Sequence, residues 1–502
     1  MNTYFLIFSL FIYSISFSQP NKFECPCGEI GLNAVWADSN KISCYLIPVS
    51  RDATDPSKGN FNLAVLKADA LHNTNEQPLL YLHGGPGIAT LENVPRYLES
   101  KTWIDIRKDR PVIFFDYRGT GFSEPALCPG LMDSLAMATT RNLSPQEMQS
   151  YKIKLFGKCR INHLADGIDI ATFSSLQSAE DAEMIRQKLE IDQWNVYGVS
   201  HGTTVALNLL RNHGNHVRAM ILDSPFPPNA PWPDFVRPFA LSFKVLEEKI
   251  EEDKNASSSF PSVKIDFVKA VNRLNKNPFK ITINEKGDVY PFTGNDFAWS
   301  IWRALLKPAA IPFVPLALKE VANGNDSILF TWVSSFSDPN SFGKFSEFQS
   351  KAILCYEGKP KNETDTKASL LKEYPDFAAF NIDFEDELCA VWQPATAGKQ
   401  IFEPVISDVP VLILSGEYDP VCPPLFGEIT ARTLSNSTFI NYPTASHAVI
   451  HTNDCSRRIA YSFLSEPGKK LVRTCVETQP GIQFITQDLL KAIAELNKPE
   501  KK

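Results

Sequence analysis

WNVYGVSHGTTVALNLLR, residues 194–211, is the stretch from which the fold can be read. Its first five residues are apolar and β-prone, and its last nine carry apolar residues at helical spacing. Between them lies Gly198-Val199-Ser200-His201-Gly202. A serine held on a sharp strand-to-helix turn needs small neighbours on both sides, and the two glycines supply them. At the start of the following helix the backbone N–H of His201 would face the oxyanion formed when Ser200 attacks a carbonyl. The stretch therefore predicts a strand, a nucleophile elbow and a helix in an α/β sheet.

Outward from that point the same alternation recurs. Eight short β-rich runs are expected as strands: 43–49, 61–68, 79–82, 111–117, 194–198, 217–224, 409–415 and 438–443. The first two are separated by a turn-rich stretch, 52–60, and read as an antiparallel hairpin leading into the parallel part. Helical patterns at 179–190, 203–212 and 484–497 lie among and after them. The expected architecture is a mostly parallel eight-stranded sheet with helices on both faces. From 226 to 404 the alternation stops and the chain becomes helical, aromatic and proline-punctuated, as in DFAWSIWRALLKPAAIPFVP. This segment is expected to be an inserted cap above the carboxyl edge of the sheet, where open α/β sheets bind ligands. The core would then comprise residues 19–225 and 405–502.

Other residues gather around Ser200 by the same logic. His83-Gly84-Gly85-Pro86-Gly87 follows the run 79–82, and its glycines allow close backbone approach to a ligand. The N–H of Gly85, with Gly84 as second choice, can supply another oxyanion donor; His83 is expected to be structural. A nucleophilic serine on such an elbow is followed in the chain by its acid and then its base. Asp419 lies just past the run 409–415, whereas Asp408 precedes that run and faces the opposite edge. His447 follows the run 438–443 in a short loop, the placement a base requires. His451, four residues on, is expected on a helix as a surface or capping residue.

Composition excludes other classes. Fifty Lys plus Arg against 57 Asp plus Glu give a net charge of −7, with 43% hydrophobic and 21% charged residues. That is ordinary globular composition, without the basic footprint nucleic acid requires. Residues 1–18, MNTYFLIFSLFIYSISFS, read as a signal peptide cleaved before Gln19. The run is short for the roughly 20 apolar residues of a bilayer span, so no stable membrane insertion is expected after cleavage. All ten cysteines follow the leader and in an exported, secreted or periplasmic chain favour disulfides. Spacing suggests Cys128 with Cys159, Cys355 with Cys389 and Cys455 with Cys475, while Cys44 would take Cys25 or Cys27 and Cys422 stays open. Cys25-Pro26-Cys27 stands alone and no H-E-x-x-H helix occurs, so no metal site is expected.

HGGPG at 83–87, DYRGTGFSEP at 116–125, SAEDAEMIRQKLEIDQWNVYGVSHGTTVAL from 178, ILDSPFPP from 221 and PVLILSGEYDPVCPP at 410–424 together resemble the prolyl and tripeptidyl aminopeptidases of the α/β-hydrolase fold. The segment carrying His447, Cys455 and Cys475 is similar to the tripeptidyl-peptidase-type C-terminal segment. The resemblance implies a secreted serine exopeptidase that removes proline or short peptides from substrates with a free N-terminus and uses no cofactor. Two positions depart from the family pattern: His201 stands where tyrosine is usual, and His447 is flanked by Ser446 and Ala448 rather than glycines. An exopeptidase needs a carboxylate for the substrate's ammonium, and Glu357, two residues after Cys355, matches the family's acidic cap position. Trp392 is a candidate pocket wall whose expected main role is packing. A secreted carboxylesterase or lipase using the same triad is the alternative.

Overall fold

The computed structural model describes residues 21–139, 143, 145–230, 234–282, 289–336, 344–358, 367–377, 380 and 386–496; the expected leader lies outside them. Eleven strands are present: β1 Glu24–Cys25, β2 Ile42–Ser50, β3 Asn60–Ala68, β4 Leu79–Leu82, β5 Val112–Phe115, β6 Trp194–Val199, β7 Val217–Asp223, β8 Phe279–Thr282, β9 Val289–Phe292, β10 Val411–Gly416 and β11 Ser437–Tyr442. Nine of them form one sheet in the order β1-β2-β3-β5-β4-β6-β7-β10-β11. The expected hairpin is β2–β3, antiparallel with Ile42 opposite Ala68 and Ser50 opposite Asn60. From β5 to β11 all pairings are parallel.

Every residue of β4, β5, β6 and β10 is buried, as central strands covered on both faces must be. At the edge, β11 is only partly covered. The eight expected strands are all present; the ninth, β1, is two residues long and leaves no periodicity to read. The antiparallel pair β8–β9 lies inside the segment expected to be helical, and its largely exposed side chains give no apolar run.

Nine helices matter to the site and its surroundings: α1 Pro145–Ala165, α2 Ser175–Lys188, α3 His201–His213, α4 Val236–Glu252, α5 Gly294–Leu305, α6 Glu347–Glu357, α7 Asp386–Trp392, α8 Val449–Thr452 and α9 Gln487–Leu496. Helix α2 starts four residues before the expected Ala179 because Ser174 caps it, its side chain accepting from Gln177 N. Helices α4 and α5 and the residues around them share an aromatic interior: Phe239 packs edge-on to Phe377 and Phe380, with ring centroids 5.0 and 4.8 Å away. Phe484, just before α9, joins this cluster, and Ile485 N donates to Pro312 O, so the start of the C-terminal segment rests on the same group of helices. Helices α6 and α7 pack instead with α1 and the core cluster: Phe156 lies 4.3 Å from Phe348, and Trp392 Nε1 donates to Phe348 O at 3.1 Å. Trp392 is thus fully buried packing.

Four disulfides are formed, Cys27–Cys44, Cys128–Cys159, Cys355–Cys389 and Cys455–Cys475. The third ties α6 to α7. Cys25 lies opposite Cys44 in the β1–β2 register, yet the bond goes to Cys27 in the following turn, and Cys25 and Cys422 keep free thiols. Among the described residues no helix is long and apolar enough to cross a membrane.

Candidate active site

Ser200 sits between β6 and α3 with φ 55° and ψ −126°, a backbone conformation that non-glycine residues rarely adopt. The surroundings hold it there. Ser200 N donates to Asp223 O at 3.0 Å, and Ser200 O accepts from Thr203 N at 2.8 Å and Thr203 Oγ1 at 2.6 Å. The flanking glycines are required by close approach: a Cβ on Gly202 would lie 2.1 Å from Leu82 O, and one on Gly198 would lie 2.7 Å from Gly202 O.

Asp419 and His447 meet as the chain order predicts. His447 Nδ1 lies 2.8 Å from Asp419 Oδ2, and Asp419 is fully buried. The other carboxylate oxygen, Oδ1, accepts from Val421 N and Cys422 N at 2.9 Å each, so the acid is fixed on both sides. Burial works against a charged imidazole at His447, but the Asp419 carboxylate outweighs it and raises the imidazole's pKa above the ordinary value. The buried Cys422 thiol closes the group. Its Sγ, a nitrogen of His447 and an oxygen of Asp419 all lie within 4.8 Å of one another. Desolvation pushes this thiol well above its usual pKa, so it is held protonated.

The HGGPG turn lies against Ser200. A Cβ on Gly84 would be 2.9 Å from Ser200 Cβ, while one on Gly85, at φ 130°, would crowd the N–H groups of Gly87 and Ile88. Gly84 is therefore the residue packed on Ser200, with the Gly85 N–H next in the chain. His83 is structural, its Nε2 2.7 Å from Tyr97 Oη, and burial lowers its pKa to about 4. His451 is exposed at the start of the C-terminal helices, its ring stacked on Tyr97 and its Nε2 3.4 Å from Tyr197 Oη.

Both departures at the site have structural consequences. The His201 ring is buried edge-on to Tyr117, and burial lowers its pKa to about 4, which keeps it neutral. Neither of its nitrogens has a hydrogen-bond partner among the described residues, and the same is true of the side-chain amide of Gln349 on α6. Ser446, where glycine is usual, donates through Oγ to Leu305 O at 2.6 Å, tying the His447 loop to the end of α5. The acid loop is held from the same side: Ser242 Oγ on α4 donates to Tyr418 O and Trp302 Nε1 on α5 to Pro420 O.

Glu357 ends α6, half-buried, and its Oε1 accepts from Ser175 N at the start of α2. Desolvation lifts its carboxyl to about 7 despite that bond. The other end of α6 lies on the HGGPG turn, where Ser346 N donates to Gly87 O. Sequence reasoning passed over Cys422 as a neighbour of the nucleophile, Gln349 and the pair Asp223-Ser224. For the last pair a signal existed, a carboxylate at the carboxyl end of a strand adjoining β6; Gln349 had none.

A strained serine at the carboxyl edge of a parallel sheet, with an Asp–His pair in the loops after β10 and β11, is an α/β-hydrolase-type arrangement. The α/β hydrolase fold family model matches residues 77–454, and the chain belongs to that family. It is 25% identical over 445 residues to carboxylesterase B of Mycobacterium tuberculosis, covering 84% of each chain. It is 26% identical over 199 residues to the tripeptidyl aminopeptidase of Streptomyces lividans, covering 38% of this chain and 36% of that one. The solved proline iminopeptidase of Mycobacterium smegmatis aligns over 85% of this chain and 98% of its own, at 12% identity and a TM-score of 0.36.

Proposed function

We propose that this hydrolase works through an acyl-enzyme on Ser200 and removes proline or short peptides from substrates with a free N-terminus. The observation that carries the catalytic reading is the Asp419–His447 contact of 2.8 Å beside a serine held at φ 55°. Ser200 Oγ attacks the scissile carbonyl and passes its proton to His447, whose Nδ1–H is oriented by Asp419. The N–H groups of His201 and Gly85 take the oxyanion. The tetrahedral intermediate expels the leaving amine with the proton from His447, and water, deprotonated by the same imidazole, hydrolyses the ester. No metal or cofactor enters these steps. Four disulfides support an exported protein, as the leader suggests.

Recognition of the free N-terminus is assigned to Glu357. One of its oxygens is engaged by Ser175 N, and its pKa of about 7 marks a carboxyl short of compensation for burial. An incoming ammonium would supply that compensation. Carboxylesterase action is the second reading, favoured by the esterase relative that matches over 84% of the chain. Peptide conjugates with free and N-acetylated termini separate the two. The peptidase should prefer the free form by some thirty- to several-thousand-fold, the equivalent of roughly 2 to 5 kcal/mol for a buried charge left unpaired. Glu357→Gln should remove most of that preference while sparing an uncharged ester. Equal rates on both conjugates in the parent enzyme would overturn the aminopeptidase reading, and turnover of simple esters alone would favour the esterase.

A further inference from the structure

We propose that Asp223, together with Ser224, is a positioning residue that clamps the loop carrying His447 against the nucleophile elbow. The inference rests on the triad reading above and adds a residue pair outside it. Asp223 is the last residue of β7, between β6, which leads into Ser200, and β10, which leads into the loop of Asp419. Its backbone oxygen accepts from Ser200 N, which fixes the elbow. Its side chain faces the other way along the same edge: Oδ1 accepts from Val449 N at 2.7 Å, and Oδ2 accepts from Ile450 N at 3.0 Å and Tyr197 Oη at 3.1 Å. Val449 and Ile450 open the short helix α8, whose first N–H groups have no partner within the helix.

Ser224 completes the clamp. Its Oγ accepts from Ala448 N at 3.0 Å, and Ala448 has φ 59° and ψ 64°, left-handed backbone that a residue with a Cβ enters at a cost. Three consecutive N–H groups directly after His447 are thus held by two side chains of β7's end. One residue, Asp223, therefore touches the backbone of the nucleophile and the backbone of the base's loop. Neither Asp223 nor Ser224 contacts the His447 ring in a hydrogen bond, so they act on the chemistry through the placement of the imidazole.

The arrangement also gives an acid limb its shape. Both oxygens of Asp223 accept, so the clamp needs the ionised carboxylate, and burial has raised its pKa to about 6 against the pull of its N–H donors and of His447. The groups facing it are Tyr197, Tyr81, Tyr442, Cys422 and His447, with His451 beyond Tyr197. None of the tyrosines or the thiol titrates below neutrality, because desolvation raises all of them. His447 must be neutral to accept the Ser200 proton. As pH falls, activity should decline first with one proton through the raised pKa of His447, then with a second below about 6 as Asp223 is protonated.

The test uses the full mature chain, an activated p-nitrophenyl ester that either substrate reading permits, and a fluorophosphonate label on Ser200. Asp223→Asn should lower kcat about 10- to 100-fold with KM within about twofold, and its acid limb should keep a single-proton slope down to pH 5. Ser224→Ala should lower kcat several-fold and keep the two-proton limb. An Asp223→Asn enzyme with kcat within twofold of the parent, or with a second proton still on the limb, overturns the proposal. If Asp223→Asn does not fold, Ser224→Ala and Tyr197→Phe decide: kcat unchanged in both overturns it as well. Label retained by Ser200→Ala would instead refute the triad reading itself, an outcome distinct from any result at Asp223.

Discussion

Gly84→Ala is a one-carbon probe of the proposed oxyanion role of the HGGPG turn. The added Cβ would sit 2.9 Å from Ser200 Cβ and 3.1 Å from Val199 O, against roughly 3.5 to 4.0 Å for unstrained carbon contacts. Neither neighbour is the free end of a long side chain. Ser200 is held by Asp223 O and by two bonds from Thr203, and Val199 lies within β6, so relief requires the turn or the elbow to shift by roughly 0.5 to 1 Å. A displacement of that size between nucleophile and oxyanion donors costs on the order of 100-fold in turnover. Overpacking costs about 1 to 3 kcal/mol of stability in addition. The assay is kcat on an activated ester with the rate of fluorophosphonate labelling, alongside thermal melting. Gly28→Ala, where a Cβ meets nothing within 4 Å, is the matched control. Full activity and unchanged labelling in Gly84→Ala would show that the turn does not sit on the nucleophile in the working enzyme.

Four further outcomes are expected. His447→Ala should lower kcat on the order of 10⁴- to 10⁶-fold and His451→Ala by less than about tenfold; the reverse result in ester kinetics would move the base to His451. Asp181→Asn removes the carboxylate that pairs with fully buried Arg118 through bonds of 2.6 and 2.8 Å, and should cost about 3 to 5 kcal/mol in denaturant unfolding; an unchanged midpoint would refute the pairing. Thiol titration of unreduced protein should find two free cysteines after unfolding, with Cys25 reacting in the native state and buried Cys422 only after it; peptide mapping that finds reduced Cys355 and Cys389 would refute the bridge between α6 and α7. Ser446→Gly loses the bond to Leu305 O and leaves that carbonyl unsatisfied, so it should lower stability by about 1 to 3 kcal/mol, read by thermal melting, and no loss would show that the loop is held without it.

The grouping of Ser200, Asp419 and His447 at one sheet edge was legible because the residues around each are local and patterned. Ser200 announces itself through two glycines between a strand and a helix, and Asp419 and His447 each follow an apolar run by a few residues, so knowing the strand order is enough to bring them together. What the sequence withheld are contacts between segments distant in the chain. Ser446 binds Leu305 across 141 positions, Ser175 binds Glu357 across 182, and Asp223 binds Val449 across 226. No periodicity encodes such pairs. Glu357 is the instructive case, since its position after Cys355 suggested a ligand for substrate while its geometry also makes it a cap for α2.

These distant contacts share a direction. Helices α4 and α5 touch the Asp419 loop through Ser242 and Trp302 and the His447 loop through Leu305, while Asp223 and Ser224 hold the His447 loop from the sheet. The imidazole is therefore fixed between two bodies, the sheet edge below and helices α4 and α5 above. A shift of those helices when substrate enters would reach Asp419 and His447 through three hydrogen bonds, none of which involves Ser200, which is anchored by Asp223 O of β7 and by Thr203 of α3. Trp302→Phe removes one of the three and keeps the ring's bulk. If residues 226–404 cap the site, it should therefore lower kcat for a peptide long enough to reach α5 more than for a small ester that is not, and an equal loss on both substrates in steady-state kinetics would show that α5 supports the Asp419 loop without coupling it to substrate.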